Sequence, residues 1–283
     1  MKVLVYSNLT KDPKLTVTRQ AASILHRLGS EVLLLSGCAA ICPLSFAQYL
    51  EEDEAFLRAE MVVSVGGDGT LLHAAKHCVA NDLPVLGVNV GRLGFLATCE
   101  VNELDTKLAK LVRGEYTIDV RRMLEAHTTG SLLWQTSALN DVVVYAENRL
   151  QTADFSICCD GILVNSFSSD GVIIATPTGS TAYSLSAGGP ILDAHIAGFV
   201  VQPICAHSIK IPPMVFSADR RITIHAKPRN RSDRVYVTGD GNETCVLAED
   251  SVVEVSLTRH KLKLLSLSPA EQFEAIDKKL MGR

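Results

Sequence analysis

Gly66-Gly67-Asp68-Gly69-Thr70 decides how this chain is read, because it stands between the apolar run Met61-Val62-Val63-Ser64-Val65 and the helix-like run Leu71-Leu72-His73-Ala74-Ala75. A buried strand that ends in a glycine turn and leads into a helix makes a phosphate cradle. Bare backbone N–H groups can approach an anion there, and the helix start adds a positive dipole end. Phosphate repels an acid at such a place, so Asp68 needs a task. Three are open: taking a hydroxyl proton, holding a sugar hydroxyl, or meeting Mg2+. The plain alternative is an Asp-Gly turn with no chemistry.

Around this turn the first half of the chain alternates strands and helices. Strands are expected over 3–6, 32–35, 61–65 and 85–88. Helices are expected over 16–28, closed by Gly29, and over 46–52, 71–78 and 102–113. Strands that are continuously apolar and separated by helices argue for a parallel sheet covered on both faces. Near Tyr116 the texture changes to short strands divided by turn signals, expected over 124–129, 132–137, 141–145, 153–158, 162–165, 172–175, 222–226, 235–238 and 252–257. Asp160-Gly161 and Asp240-Gly241 each lie between two strand-like runs and read as tight hairpins. The expected fold class is therefore α/β plus β-rich: an N-terminal α/β domain over 1–117 and a C-terminal β-rich domain over 118–262. The helical stretch at 269–279 belongs to a tail, 263–283.

Composition narrows the function. The 283 residues are 47% hydrophobic and 20% charged, which is a globular composition. The net charge of −4, with 27 Lys and Arg scattered and no basic run, leaves no electrostatic footprint for nucleic acid or an anionic membrane. A small-molecule partner is expected. No run of 18 or more apolar residues and no apolar leader points to a membrane or export, so the expected compartment is the cytosol. The eight cysteines form no CxxC pair and read as small buried apolar residues in a reducing compartment.

A second polar concentration follows the 172–175 strand. Thr176, Thr178, Ser180, Thr181, Tyr183, Ser184 and Ser186 put seven hydroxyls within eleven residues, ahead of Gly188-Gly189-Pro190. Such a segment can line a nucleotide site, or can be a loop wired by Ser and Thr. Asn89-Val90-Gly91-Arg92-Leu93-Gly94-Phe95-Leu96 follows the 85–88 strand, at the end of a parallel sheet where ligands bind. There Phe95 either stacks on a base or belongs to the core. Asn140-Asp141 offers an amide and a carboxylate suited to ribose hydroxyls or a base edge, with a turn role as its competitor. His73 and His77 are four residues apart but lack the glutamate of a zinc-protease helix, and no residue is assigned as a metal ligand. The chain has no G-x-x-x-x-G-K-[ST] and completes no G-x-G-x-x-G at either turn, so a nucleotide must bind by another device.

Taken together, segments 66–70, 89–96, 140–141 and 176–190 resemble the NAD kinase family. The resemblance implies Mg2+-dependent (or another divalent cation) transfer of the terminal phosphoryl group of ATP to the adenosine ribose 2′-hydroxyl of NAD. By that resemblance Asp68 is the proton acceptor, and Gly66, Gly67, Gly69, Thr70, His73, Asn89 and Phe95 border the nucleotide. Asn140 and Asp141 match the ribose-binding pair. Asp170, Ser180, Thr181, Ala182, Tyr183, Ser184, Leu185 and Ser186 match dinucleotide contacts, and Asn242 a contact amide. His73 and Asn242 stand where arginine and glutamine are common, and Asp141 where glutamate is usual. The family also implies a tail that returns to the first domain, and homodimers or homotetramers. Two rivals share parts of this pattern. A lipid kinase would need an apolar acceptor pocket and membrane recruitment, and the sequence has neither a basic amphipathic helix nor a lipidation motif. A silent NADP(H) sensor would have no reason to keep Asp68.

Overall fold

Strand β1 (Lys2–Ser7) pairs in parallel with β2 (Glu31–Leu35) on one side and with β4 (Met61–Gly66) on the other. A computed structural model gives these pairings and describes residues 1–91, 94–147, 152–207, 211–230, 233–268 and 271–281. The chain divides into two units, Met1–Val120 with Leu262–Arg283, and Arg121–Lys261.

In the first unit the sheet runs β3-β2-β1-β4-β5, with β3 (Ala47–Leu50) at one edge and β5 (Pro84–Asn89) beyond β4. Every pairing is parallel, which the helical connections α1 (Thr16–Arg27), α2 (Glu52–Arg58) and α3 (Asp68–Ala80) allow. Beyond β5 lie the short β6 (Cys99–Glu100) and helix α4 (Leu104–Val112). One core face takes Val3, Val5, Val63, Val65, Leu86 and Val88 from alternate strand positions, and Ala21, Ile24, Leu25, Leu104 and Leu108 from helices. All six residues of β4 are buried, so its C-terminal end delivers the glycine turn from the middle of the sheet.

The expected helix over 46–52 is a strand instead. Ala47 to Leu50 fill the free edge of β2, in register Val32↔Ala47 to Leu35↔Leu50, and Tyr49 donates its hydroxyl to Cys42 O. The three acids Glu52, Asp53 and Glu54 then open α2, where a helix N-terminus favours negative charge. Gly29 does close α1: its φ is 86°, and Ser30 N donates back to Leu25 O as in a left-handed helix cap.

The second unit contains two antiparallel sheets. One has the order β14-β13-β12-β9-β16-β17, formed by β9 (Asp141–Ala146), β12 (Gly171–Ala175), β13 (Gly198–Ile204), β14 (Met214–Ser217), β16 (Val235–Gly239) and β17 (Asn242–Val246). The other sets β11 (Ile162–Ser169) beside β10 (Ala153–Cys159), β15 (Arg221–Pro228) and the first part of β18 (Val252–Ser266). β7 (Thr117–Thr129) pairs with β8 (Gln135–Ala138) and is longer than the expected 124–129. β18 extends nine residues past the expected 257, and Lys263 and Leu264 pair in parallel with β5 inside the first unit. Alternation sets the sandwich core: Val142, Val144, Val172, Ile174, Phe199 and Val201 face Phe155, Ile157, Ile222, Ile224, Val253 and Val255. Val143, Ile173 and Val200 point the other way and are also buried, against Leu192, so the middle strands read as unbroken apolar runs. Both Asp-Gly hairpins have the two positive φ angles of a type I′ turn: 50° and 81° at Asp160-Gly161, 51° and 69° at Asp240-Gly241.

The cysteines divide. Cys38, Cys42, Cys78 and Cys99 are buried, and burial pushes the Cys78 thiol up to about 12. Cys158, Cys159 and Cys245 are half-buried and Cys205 is exposed, so the expectation of eight buried cysteines fails for these four. After β18 comes α6 (Glu271–Ile276), continued by a π-helical turn, Asp277–Met281.

Phe155 is 1% exposed and its ring lies 6.1 Å from that of Phe167. Phe155→Ala should cost about 3–5 kcal/mol of stability, read as a lowered urea midpoint at unchanged slope.

Candidate active site

Asp68 is the first residue of α3, and its side chain does not cap its own helix. It reaches to the segment after β5 instead. Oδ2 accepts the Phe95 N–H at 2.8 Å, and Oδ1 accepts the Leu96 and Ala97 N–H groups at 3.0 and 2.9 Å. A carboxylate has about four lone-pair sites, so Oδ1 is filled while Oδ2 keeps one acceptor direction. Gly94 makes this possible. A Cβ at that position would overlap the Asp68 carboxylate.

Asp68 lies in a cavity of about 600 Å³ that Gly66, Gly67, Gly69, Thr70, His73 and Asn89 also line. These residues were expected together from sequence. None of the turn's three glycines lies in the left-handed region, and Gly67, with φ 166°, is extended. Gly66 is there for space, because a Cβ would overlap the Thr70 side chain. Thr70 is buried and accepts Asn8 Nδ2 at 3.1 Å, while Val90 N donates to Gly66 O at 2.9 Å. Asn89 donates Nδ2 to Gly91 O at 3.1 Å. Phe95 is half-buried, and Arg92 and Leu93 lie outside the described residues. His73 is exposed on the cavity wall, whereas His77 stacks on Phe56 with ring centroids 4.6 Å apart.

Sequence reasoning missed three residues of this cavity: Asn8, Lys11 and Lys279. Lys279 comes from the π-helical turn after α6. Its Nζ is 3.8 Å from Asp68 Oδ2 and 4.0 Å from the centre of the Phe95 ring. No local pattern marks it, because fold alone brings it there.

The second unit has a cavity of about 940 Å³ lined by Asn140, Asp141, Asp170 and Tyr183, together with Tyr145, Glu147, Cys205, Asp240 and Thr244. Its geometry depends on Asp240, read from sequence only as a hairpin residue. The Asp240 carboxylate accepts the N–H groups of Leu139, Asn140 and Asp141 at 2.7, 2.8 and 3.1 Å. On the other side Thr176 donates its N–H to Asn140 O and its hydroxyl to Leu139 O, and Gly179 packs so close to the Asn140 backbone that a Cβ would overlap it. Asn140 is thus fixed from two directions with its side chain on the cavity.

The hydroxyl-dense stretch divides. Tyr183 lines the cavity and is exposed. Ser180 is fully buried, donating to Pro177 O at 2.6 Å and accepting Leu192 N at 2.9 Å. Thr181 donates to Thr178 O at 3.2 Å, and Ser184 is fully buried. Among the described residues, Ser180, Thr181, Ala182, Ser184, Leu185, Ser186 and Asn242 do not line this cavity. Asn242 opens β17, and its carbonyl accepts the Thr238 hydroxyl.

Burial, and the Asp240 charge beside it, raise the Asp141 carboxyl from 3.8 to about 7. At neutral pH it is divided between a form that donates and one that only accepts.

Two family comparisons cover most of the chain: the ATP-NAD kinase N-terminal domain matches residues 8–116, and the ATP-NAD kinase C-terminal domain matches residues 139–267. This chain belongs to the NAD kinase family. It is 31% identical over 280 residues to an NAD kinase of Caldicellulosiruptor saccharolyticus, covering 99% of both chains. It is 36% identical over 260 residues to one of Methylococcus capsulatus, covering 91% of this chain and 89% of that one. Yeast NADH kinase crystallised with NADH shares the fold at a TM-score of 0.88 and 24% identity, over 100% of this chain and 87% of that one. An NAD kinase from Archaeoglobus fulgidus in complex with ATP shares it at 0.73 and 24% identity, over 100% and 98%. Within the NAD kinase fold, the glycine turn and Asn140-Asp141 each bring polar groups to a cavity.

Gly94→Ala should displace the Asp68 carboxylate from its three amide donors. The expected outcome is a loss of thermal stability together with loss of catalytic activity, read by melting and by turnover. The Asp141 carboxyl binds its proton more tightly in the folded chain than in the unfolded one. Its contribution to stability is therefore full below about pH 4 and is lost as pH rises through about 7. Asp141→Asn should raise the melting temperature of the ligand-free chain more at pH 8 than at pH 5, flattening that part of the stability profile.

Proposed function

We propose that this chain transfers the γ-phosphoryl group of ATP to the 2′-hydroxyl of the adenosine ribose of NAD, producing NADP and ADP. The observation that carries this reading is the Asp68 carboxylate, held by three backbone amides at the glycine turn with one acceptor direction of Oδ2 left open. A hydroxyl acceptor needs that group. A protein that only senses NADP would use it solely to hold the 95–97 loop.

Phosphoryl transfer passes through a loose transition state, so the protein's work is mainly positioning and charge neutralisation. The N–H groups at the start of α3 face the phosphates. The 2′-hydroxyl donates to Asp68 Oδ2, which orients it and takes its proton late as the bond to phosphorus forms. Asn140, Asp141, Asp170 and Tyr183 hold the dinucleotide, with ionised Asp141 accepting from a ribose hydroxyl. Gly69, Thr70, His73, Asn89 and Phe95 border the nucleotide. Ser180 and Thr181 act by setting the turn that carries Tyr183, and Ala182, Ser184, Leu185, Ser186 and Asn242 belong to the same reading as nearby contacts.

The donors on the first cavity suit a divalent cation carried by the nucleotide. Asp68 is its one carboxylate, and among the described residues no group of three or more His, Cys, Asp or Glu side chains is arranged to hold a metal. Mg2+ bound through phosphates needs only one or two carboxylates. When bound it neutralises charge on the transferred group.

The reading extends to a cytosolic homodimer or homotetramer, without nucleic-acid or membrane partners. Eight free thiols suit a reducing compartment. No described helix is long and apolar enough to cross a membrane. β11, at the end of its sheet, exposes Ile162, Leu163 and Val164, a row that suits burial against another copy.

The test is NADP formation from NAD, ATP and Mg2+, followed with an NADP-specific dehydrogenase, beside Asp68→Asn. That variant should lose about 10²- to 10⁴-fold in turnover, the range for a lost general base. It should also melt lower, since an amide nitrogen turned toward backbone N–H groups cannot accept from them. Near-normal turnover in Asp68→Asn would overturn the assignment of the base. Product-free dinucleotide binding by the wild type would favour the sensor.

A further inference from the structure

The glycine turn has a phosphate cradle's backbone but no lysine of its own, since its sequence continues Thr70-Leu71-Leu72 where a G-x-x-x-x-G-K-[ST] loop would carry one. A triphosphate bound there gathers charge that amide dipoles and one cation only partly offset, and Asp68 adds a negative charge beside it. The cavity is nevertheless supplied with an ammonium group from the opposite end of the chain. Lys279 lines it, with Nζ 3.8 Å from Asp68 Oδ2 and 4.0 Å from the Phe95 ring centre. At 3.8 Å the pair is an ion pair and too long for a hydrogen bond, so the three N–H donors of Lys279 are not committed to Asp68. The Phe95 ring holds the cation without using those donors. Phe95 is itself fixed, because its own N–H donates to Asp68 Oδ2. Lys279 is thus located by two contacts and left with donors free, which is what a ligand for phosphate oxygens requires.

We propose that Lys279 binds phosphate in this site, beside Lys11 on the same cavity, and contacts the transferred phosphoryl group during the reaction. The inference rests on the phosphotransfer reading above and adds a residue to it. In the step, the ribose 2′-oxygen forms a bond to the γ-phosphorus as the bond from that phosphorus to the β,γ-bridging oxygen breaks. The electron pair leaves on ADP, and the hydroxyl proton goes to Asp68 Oδ2. Lys279 keeps its three protons throughout and stabilises the charge on the phosphoryl oxygens. The competing role is a clasp that fastens the tail to the first unit and touches no substrate.

The full-length chain is compared with Lys279→Met, Lys279→Gln and Lys279→Arg. Three readouts are used: titration calorimetry with β,γ-methylene ATP and Mg2+, kcat with separate KM values for ATP and NAD, and the melting temperature. Lys279→Met and Lys279→Gln should lower kcat about 10²-fold or more, as loss of one transition-state donor does, and leave the KM for NAD within about twofold. Both should weaken the analogue by about tenfold, with Lys279→Arg recovering part of that affinity, because a charge-assisted bond to phosphate survives in arginine. Wild-type kcat and analogue affinity in both uncharged variants would overturn the proposal. A lowered melting temperature with unchanged analogue affinity would also overturn it, in favour of the clasp. If Lys279→Met fails to fold, Lys279→Gln decides, because it keeps most of the stem and a polar head. Failure of the kinase reading looks different: wild type would yield no NADP, while the analogue titration would still report on Lys279.

Discussion

Phe95, Leu96 and Ala97 donate their backbone N–H groups to one carboxylate, and the first site depends on those three bonds. They tie the segment after β5 to the start of α3, so the ends of two neighbouring parallel strands become one surface. The same bonds aim Asp68 and fix Phe95, which in turn carries Lys279. Buried N–H groups left without acceptors would cost about 1–3 kcal/mol each, so the carboxylate serves the loop as much as the loop serves the carboxylate.

The second unit repeats the device with other residues. Asp240, at the tip of a type I′ hairpin, accepts three successive N–H groups at 139–141 and so presents Asn140 and Asp141 to their cavity. The Asp240 charge acts on Asp141 too, helping to hold its carboxyl near 7, with burial the larger cause. A short backbone segment between strands cannot satisfy its own amides, and a carboxylate from a neighbouring turn does so without adding bulk.

The hydroxyl-dense stretch shows how composition can point to the right place for a mixed reason. Its Ser and Thr side chains mostly close a tight turn: Thr176 spans Leu139 O and Gly179 N, and Ser180 joins Pro177 O to Leu192 N. Tyr183 is the side chain of that stretch that reaches the cavity. Thr176, Ser180 and Thr181 hold the chain so that it can. A sequence rich in hydroxyls tells a reader that backbone groups need partners there, but not whether the partner is a ligand or the protein itself.

By itself the sequence determined the α/β and β-rich texture, both Asp-Gly hairpins, the Gly29 cap, and the gathering of Gly66, Gly67, Asp68, Gly69, Thr70, His73 and Asn89 on one cavity. These follow from local rules: the period of apolar residues, positive φ at turns, and the short reach of chain around a strand end. It misread 46–52 as helix because the free edge of β2 outweighed a weak helical pattern. Only tertiary structure decided that Asp68 turns away from its own helix to bind the 95–97 amides, that Asp240 sets Asn140 and Asp141, and that Lys279 arrives at the glycine turn. Those contacts join residues 27 to more than 200 positions apart, and separation of that kind leaves no periodic trace in a single sequence.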